Sequence, residues 1–405
     1  MHFVPILSTL RRHKTAALLV VLEIALTCAI VCNAVFLIRN RLQRMDKDTG
    51  VAETEVVDFR IAGIGVKQNE MAQTVQDMAA LRAIPGVKFV ASTNMIPLGG
   101  STWNTGVSLN ADQTGATNSA VYVGTEDLVE TLGVRIIAGR DFTPDEYQDY
   151  DAVMKEKVHY GSVIVTKGLA ERMYPGQHAL GKPLYTWGKQ PQTIVGIVER
   201  LARPNDDNGA DITDCAFIAP VRPAYTVGAH YLMRVEPGSG HQILDQAETA
   251  LMKLDPVRLV FGKKTFAEVR AEYFKEDRAM AFLLVGVSVA LLVITGLGIV
   301  GLASFWVQQR TRQIGIRRAL GATRSNILHY FQIENFILAT IGIVLGMALA
   351  YAVNLWLMHK YQVPRLPGTF LPIGAALLWL LGQLAVLGPA MRASMIAPAT
   401  ATRSV

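Results

Sequence analysis

The chain carries little that could do covalent chemistry. Only Cys28, Cys32 and Cys215 are cysteines, which leaves no disulfide framework. All three read as small buried apolar residues. The 8 histidines show no HExxH or comparable ligand spacing, and no Ser, His and acid arrangement stands out. Asp206, Asp207, Asp211 and Asp214 cluster around Gly209 in a spacing that fits no calcium loop, so they read as a solvated turn. Charged residues make up 18% of the chain against 51% hydrophobic ones. The net charge of +6 implies no nucleic-acid partner, because much of it sits in short basic loops beside apolar runs. The segment Gln308 to Ile327 lacks acid altogether while holding Arg310, Arg312, Arg317, Arg318 and Arg324.

Two motif matches are decoys. Gly176 to Pro183 follows a phosphate-binding loop until its last position, where Pro183 replaces the Ser or Thr that would hold magnesium. Gly296, Gly298 and Gly301 match GxGxxG inside an apolar run, where small residues serve helix packing.

What the sequence has instead is four apolar runs, over residues 16–38, 280–307, 328–358 and 370–391, the last closing near Gly388-Pro389. A bilayer core takes about 20 apolar residues per helix, and all four reach that length. The first run is too long for a signal-peptide core and reads as an uncleaved anchor. Positive charge concentrated in residues 308–327 marks a cytoplasmic loop. Residues 1–15 and 392–405 are therefore expected inside, with residues 39–279 and the loop 359–369 outside, in a multi-pass cytoplasmic (inner) membrane protein.

Several intramembrane and flanking residues carry expectations. Glu23 lies within the first run, where a carboxyl group must face other helices. Gly342 and Gly346 form a GxxxG spacing suited to close backbone contact in a bundle or a dimer. The helical stripe of the first run continues through Leu42 and Met45 as a stalk. Thr265 and Glu268 form a capping box, and the absence of Gly or Pro from Thr265 through Val285 predicts one helix running through Phe266, Val269 and Tyr273 into the second span. Ile316, Ala319, Leu320, Thr323 and Ile327 recur at helical spacing and predict a small apolar face beside the arginines.

Between the first two runs the pattern is mixed. Strands are expected at Val56 to Ile61, Val87 to Met95, Ser162 to Val165 and Thr193 to Val198, with helices at Gln68 to Ile84 and His241 to Leu254. The fold class is therefore an α-helical membrane protein with four transmembrane helices and an α+β extracytoplasmic domain, one lobe (roughly 120–215) being inserted into another.

With these features placed, the chain resembles the permease subunits of MacB-type ABC transporters, the group that includes FtsX-like and lipoprotein-releasing permeases. RTRQIGIRRALGATRSNI from Arg310 is similar to the family's motif between the second and third helices. ETLGVRIIAGRDF from Glu130, VIVTKGLAERMYPGQHALGKPL from Val163 and TIVGIVE from Thr193 look like its ectodomain signatures. Gln313 stands where the family usually has Glu. The resemblance implies a porter-like ectodomain with a second lobe. It also implies a loop docked on a separate cytoplasmic ABC ATPase through Arg310, Arg312, Ile314, Gly315, Arg317, Arg318, Ala319, Leu320, Gly321 and Ala322.

ATP and magnesium are then held by that partner, with no cofactor or catalysis in this chain. The working unit pairs two permease chains, identical or related, and the group also uses periplasmic adaptors and outer-membrane channels. The implied function is export of a peptide, drug or lipid-linked cargo by mechanotransmission. The alternative is an FtsX-like regulator that activates an envelope enzyme.

Overall fold

A run without proline or glycine forms one long helix, α1 (Lys14–Met45), in which Val20, Ile24, Cys28 and Cys32 fall one turn apart on a buried stripe. The computed structural model describes residues 14–396 apart from 64–68, 113, 188, 206–213, 225–229 and 362–364. Arg11 and Arg12, the tail after Ile396 and three of the four clustered aspartates, Asp206, Asp207 and Asp211, lie outside the described residues. The chain divides into two units, one of residues Lys47–Lys275 and the other built from the flanking stretches up to Asp46 and from Glu276.

The first unit opens with β1 (Val56–Gly63), α2 (Glu70–Arg82) and β2 (Val87–Thr93). The chain then leaves this sheet for β3 (Asn104–Val107), β4 (Thr117–Val123), α3 (Leu128–Leu132), β5 (Ile136–Gly139), β6 (Gln148–Asp149), α4 (Tyr150–Met154) and β7 (Ser162–Thr166). It continues through α5 (Lys167–Met173), β8 (Pro183–Leu184), β9 (Gln192–Val198), β10 (Ala216–Ala219) and β11 (Val221–Arg222). It returns by β12 (His230–Val235), α6 (Gly240–Leu254), β13 (Arg258–Thr265) and α7 (Phe266–Tyr273).

The outer segments form an antiparallel sheet of order β13-β1-β12-β2, two β-α-β units interleaved in a ferredoxin-like pattern. Val57, Phe59 and Ile61 alternate onto one face, where α2 and α6 supply Met78, Leu81, Ile243, Leu244, Ala247 and Leu251. The inserted sheet has the order β3-β4-β10-β7-β9-β5, with its own core around Val121, Val163, Val165, Leu169, Ile194 and Phe217. It begins at Asn104, earlier than the expected lobe boundary of 120, because β3 pairs with β4 and β4 with β10.

The expectation of one rod from Thr265 into the second span is corrected. Thr265 and Glu268 do form the capping box. However, Phe266 and Val269 are buried, and α7 ends at Phe274, whose own N–H bonds the carbonyls of Arg270 and Glu272. The next helix, α8 (Lys275–Gln309), starts afresh. Burial of Phe266, Val269 and Phe274 makes α7 a packed element of this unit, and the continuous rod does not form.

A buried ion pair crosses the ferredoxin-like core. Arg258 Nη1 lies 2.8 Å from Asp77 Oδ1, and Tyr231 Oη donates to Asp77 Oδ2 at 2.9 Å. Burial pushes the Asp77 carboxyl above its ordinary range even with the guanidinium beside it. Asp77→Ala would leave buried Arg258 with Asp255, 3.4 Å from its Nε, as its remaining acid, and a loss of up to about 3 kcal/mol is expected. Thermal or denaturant unfolding of the full chain measures it, and a change below about 1 kcal/mol would show the pair to be idle.

Asp141 behaves differently. Burial, reinforced by Glu130, raises its carboxyl to about 6, while the Phe142 amide at 2.7 Å opposes the shift. A folded pKa above the unfolded value of about 3.9 gives a contribution present below that value and lost as pH rises through the folded one. Asp141→Asn should therefore melt higher than the parent at pH 7.5 by about 1–2 kcal/mol after allowance for partial exposure, the gap closing by pH 4. A gap that does not vary with pH would contradict this account.

The second unit joins α1 to α8, the short α9 (Thr311–Ala319), α10 (Arg324–Tyr361) and α11 (Phe370–Ser394). Helices α1, α8, α10 and α11 are each long and apolar enough to cross a membrane. The fourth continues past Gly388-Pro389 to Ser394, correcting the expected stop; buried Pro389 and Ala390 pack within the helix. A proline there deletes one backbone hydrogen bond, a local defect that a packed bundle tolerates.

Small residues set the packing. An added Cβ on Gly342 would come within 2.8 Å of Ile24, and one on Gly346 within 2.5 Å of Cys28. The GxxxG pair thus seats α10 on α1 within one chain. Glu23 is half-buried with its carboxylate against Gly298 of α8. Thr27 and Thr295 share a 2.8 Å hydroxyl contact, and Asn33 donates to the carbonyls of Ala29 and Ala350. At the other end of these helices Arg41 pairs with Asp277, and Arg44 approaches the same carboxylate at 3.8 Å. Leu42 is exposed beside this clasp and Met45 closes the helix.

Candidate coupling site

The basic segment folds as the nine-residue helix α9 between α8 and α10, and its two sides differ in kind. Ile314 and Gly315 are buried, Ile314 in a cluster with Val307, Ile327, Phe331, Ala390 and Ala393. On the other side Arg312, Ile316, Arg317, Ala319 and Leu320 are exposed, Leu320 to 83%. Leu320 ends the helix, and Gly321, at φ 98°, turns the chain in the left-handed region that favours glycine. The expected apolar face is therefore divided. Ile316, Ala319 and Leu320 point outward, Thr323 belongs to the turn, and Ile327 belongs to α10 and packs inward.

Arg310 is the largest departure from expectation. It caps the start of α9, is only 7% exposed, and donates from Nη1 to both oxygens of Glu334 on α10 at 3.1 and 2.8 Å. Its guanidinium also lies 5.5 Å from the Trp306 ring centroid. Arg310, Ile314 and Gly315 thus orient the helix from behind and take no part in its exposed face. Arg318 is half-buried and donates to the carbonyl of Ile396, while Arg317 lies over the Tyr330 ring at 5.0 Å. Gly321 is exposed in the turn and Ala322 half-buried beside it.

Glu334 is the residue that the sequence reading missed. It is an isolated acid within a long apolar helix, the same signal that singled out Glu23, and it is 1% exposed. Lone intramembrane acids pair or stay protonated, and the basic segment nearby is the obvious source of a partner. The pair fixes the position of the α9 start relative to α10, and the two ends of α9 are then held by Arg310 and by the Gly321 turn.

A bundle of four apolar helices, a two-lobed α+β domain inserted after the first helix and a basic amphipathic helix between the second and third together define a membrane permease with an extracytoplasmic domain. The family profile described as MacB-like periplasmic core domain matches residues 18–254, and that of the FtsX-like permease C-terminal region matches residues 285–398. The chain belongs to the MacB-type, FtsX-like permease family.

Among its relatives, the macrolide export ATP-binding/permease protein MacB of Neisseria meningitidis serogroup A is 24% identical over 358 residues, which is 86% of this chain and 52% of that protein. The protein of the same description from Mannheimia succiniciproducens is 24% identical over 412 residues, 97% of this chain and 59% of that one. The chain thus spans about half the length of these relatives. Solved domains that align with it include the extracellular domain of the transporter YknZ from Gram-positive bacteria, at 13% identity and TM-score 0.32 over 51% of this chain and all of that one. The periplasmic region of MacB from Actinobacillus actinomycetemcomitans aligns at 11% identity and TM-score 0.34, over 57% of this chain and 97% of that one.

Breaking the Arg310–Glu334 pair should cost more than removing it. Arg310→Met and Glu334→Leu are each expected to destabilise the membrane unit by about 3 kcal/mol or more, each leaving one buried charge alone. The double variant should recover most of the loss, the interaction appearing in a double-mutant cycle of detergent melting curves. Strictly additive losses would mean that the two side chains act independently.

Proposed function

We propose that this chain is the permease subunit of an ABC transporter, receiving force through α9 from a separate cytoplasmic ATPase and passing it to the extracytoplasmic domain. The observation that carries this reading is the two-sided construction of α9. Burying Leu320 or Ile316 would release water from apolar surface, yet both stand exposed beside Arg312 and Arg317. Their helix is meanwhile locked from behind by a buried ion pair. A surface so arranged suits a protein partner with acidic and apolar groups, held by a helix stiff enough to transmit load.

The topology follows from the same segment. The positive charge of residues 308–327 supports a cytoplasmic position for that segment and for both termini, with Lys47–Lys275 on the outer side. In this reading ATP and magnesium belong to the ATPase, two permease chains form the unit, and a periplasmic adaptor with an outer-membrane channel completes the path. The cargo is a peptide, a drug or a lipid-linked molecule. The large two-lobed outer domain supports export, since a regulator that only touches an envelope enzyme can manage with a smaller one.

Leu320→Asp and Arg317→Glu should each lower co-purification of the ATPase at least tenfold and remove stimulation of ATP turnover, with the permease melting temperature unchanged. Retention of the partner by both variants would overturn the docking role of α9.

A further inference from the structure

The face of the ferredoxin-like sheet opposite its helices is only partly covered. Helix α7 and the loop after β2 leave above it an open-sided cavity of about 170 Å³. Its floor is charged. His230 Nδ1 and Asp58 Oδ1 lie 2.8 Å apart, Arg60 approaches Asp58 at 3.8 Å, and Lys264 pairs with Glu272. Its walls are apolar, made by Ile96, Leu98, Val269 and Tyr273.

We propose that this cavity binds a small organic carboxylate with an apolar body, its anion seated on Arg60. The two acids of the floor are already occupied, Asp58 by His230 and Arg60, and Glu272 by Lys264. Arg60 is the group with donors to spare, for its side chain is 40% exposed to the cavity side and approaches Asp58 no closer than 3.8 Å, through Nε alone. Guanidinium groups bind carboxylates through two parallel hydrogen bonds, so the spare donors select an anion. Gly262, opposite Arg60 on β13, makes room for the guanidinium, since a Cβ there would fall 3.2 Å from Arg60 Nη2.

A second feature points to the same place. Leu98 holds φ at 60°, a conformation that an L side chain rarely adopts. It is kept there by its N–H on the carbonyl of Arg203 and by the Gly100 N–H on that of Pro204. Strained backbone of this kind clusters at ligand clamps, and here the strained residue lines the cavity wall. A void of about 150 Å³ accommodates a benzene ring, so an aryl carboxylate is the matching size.

Fluorine NMR relaxation of 3-(4-fluorophenyl)propionate, added to the full chain in nanodiscs with empty nanodiscs subtracted, tests the site. The parent should bind saturably, Arg60→Gln at least tenfold more weakly, and Arg60→Lys in between. Val269→Phe, which fills the cavity with Arg60 intact, should also lose binding, and melting curves confirm that each variant is folded. The amine of the same skeleton should bind at least tenfold more weakly than the acid. N-acetyl-leucyl-phenylalanine run alongside separates the sources: tighter binding of the dipeptide assigns the site to peptide C-termini, weaker binding to free acids, and either supports it. Equal affinity of parent and folded Arg60→Gln, or of acid and amine, overturns the proposal.

Discussion

The buried pair between Arg310 and Glu334 is the interaction on which the placement of α9 depends. Each charge alone would be costly among apolar helices, and together they confine each other to one geometry. That geometry decides which residues of α9 face the bundle and which face away. Without it, a helix of nine residues bearing four arginines at or next to its ends would have little to hold it in place. The exposed surface of α9 is thus a consequence of what lies behind it.

The outer domain shows a comparable division between what holds and what is held. The ferredoxin-like sheet is fixed on one face by apolar packing against α2 and α6, with the Asp77–Arg258 pair in its interior. Its other face carries charges in mutual contact and an incompletely filled cavity. The inserted sheet has a separate core and is tied to the first by hydrogen bonds from Ser92, Thr93 and Asn94 of the first to Val121, Val123 and Thr125, and by α3 packed on β2 and β12.

Much of the fold was legible because the periods are strong. The four apolar runs, the strands at Val56, Val87, Ser162 and Thr193 and the face of α6 through Ile243, Leu244, Ala247 and Leu251 follow directly from spacing, while Leu254, which the same spacing assigns to that face, is exposed at the helix end. The break at Phe274 was not legible, since no Gly or Pro marks it; the helix ends there because Phe274 is buried in place, a tertiary effect. The early start of the inserted sheet escaped for a similar reason, β3 being a short edge strand defined only by its pairing with β4. At the coupling segment, the arginines were evident but their division was not. Charge and helical spacing identify Arg310 and Arg317 equally, and only the position of Glu334 separates the buried one from the exposed one.

The clasp of Arg41 and Arg44 on Asp277 gathers the two points where the chain leaves and re-enters the helical bundle. The intervening segment is then a closed loop whose ends are held by the bundle itself. The entropy of closing such a loop grows only with the logarithm of its length, so doubling the insert adds about 0.6 kcal/mol. The bundle is therefore nearly indifferent to the size of what it carries. Outer domains can be enlarged, trimmed or exchanged at that port while the helices keep their packing, which makes the helical part a reusable chassis.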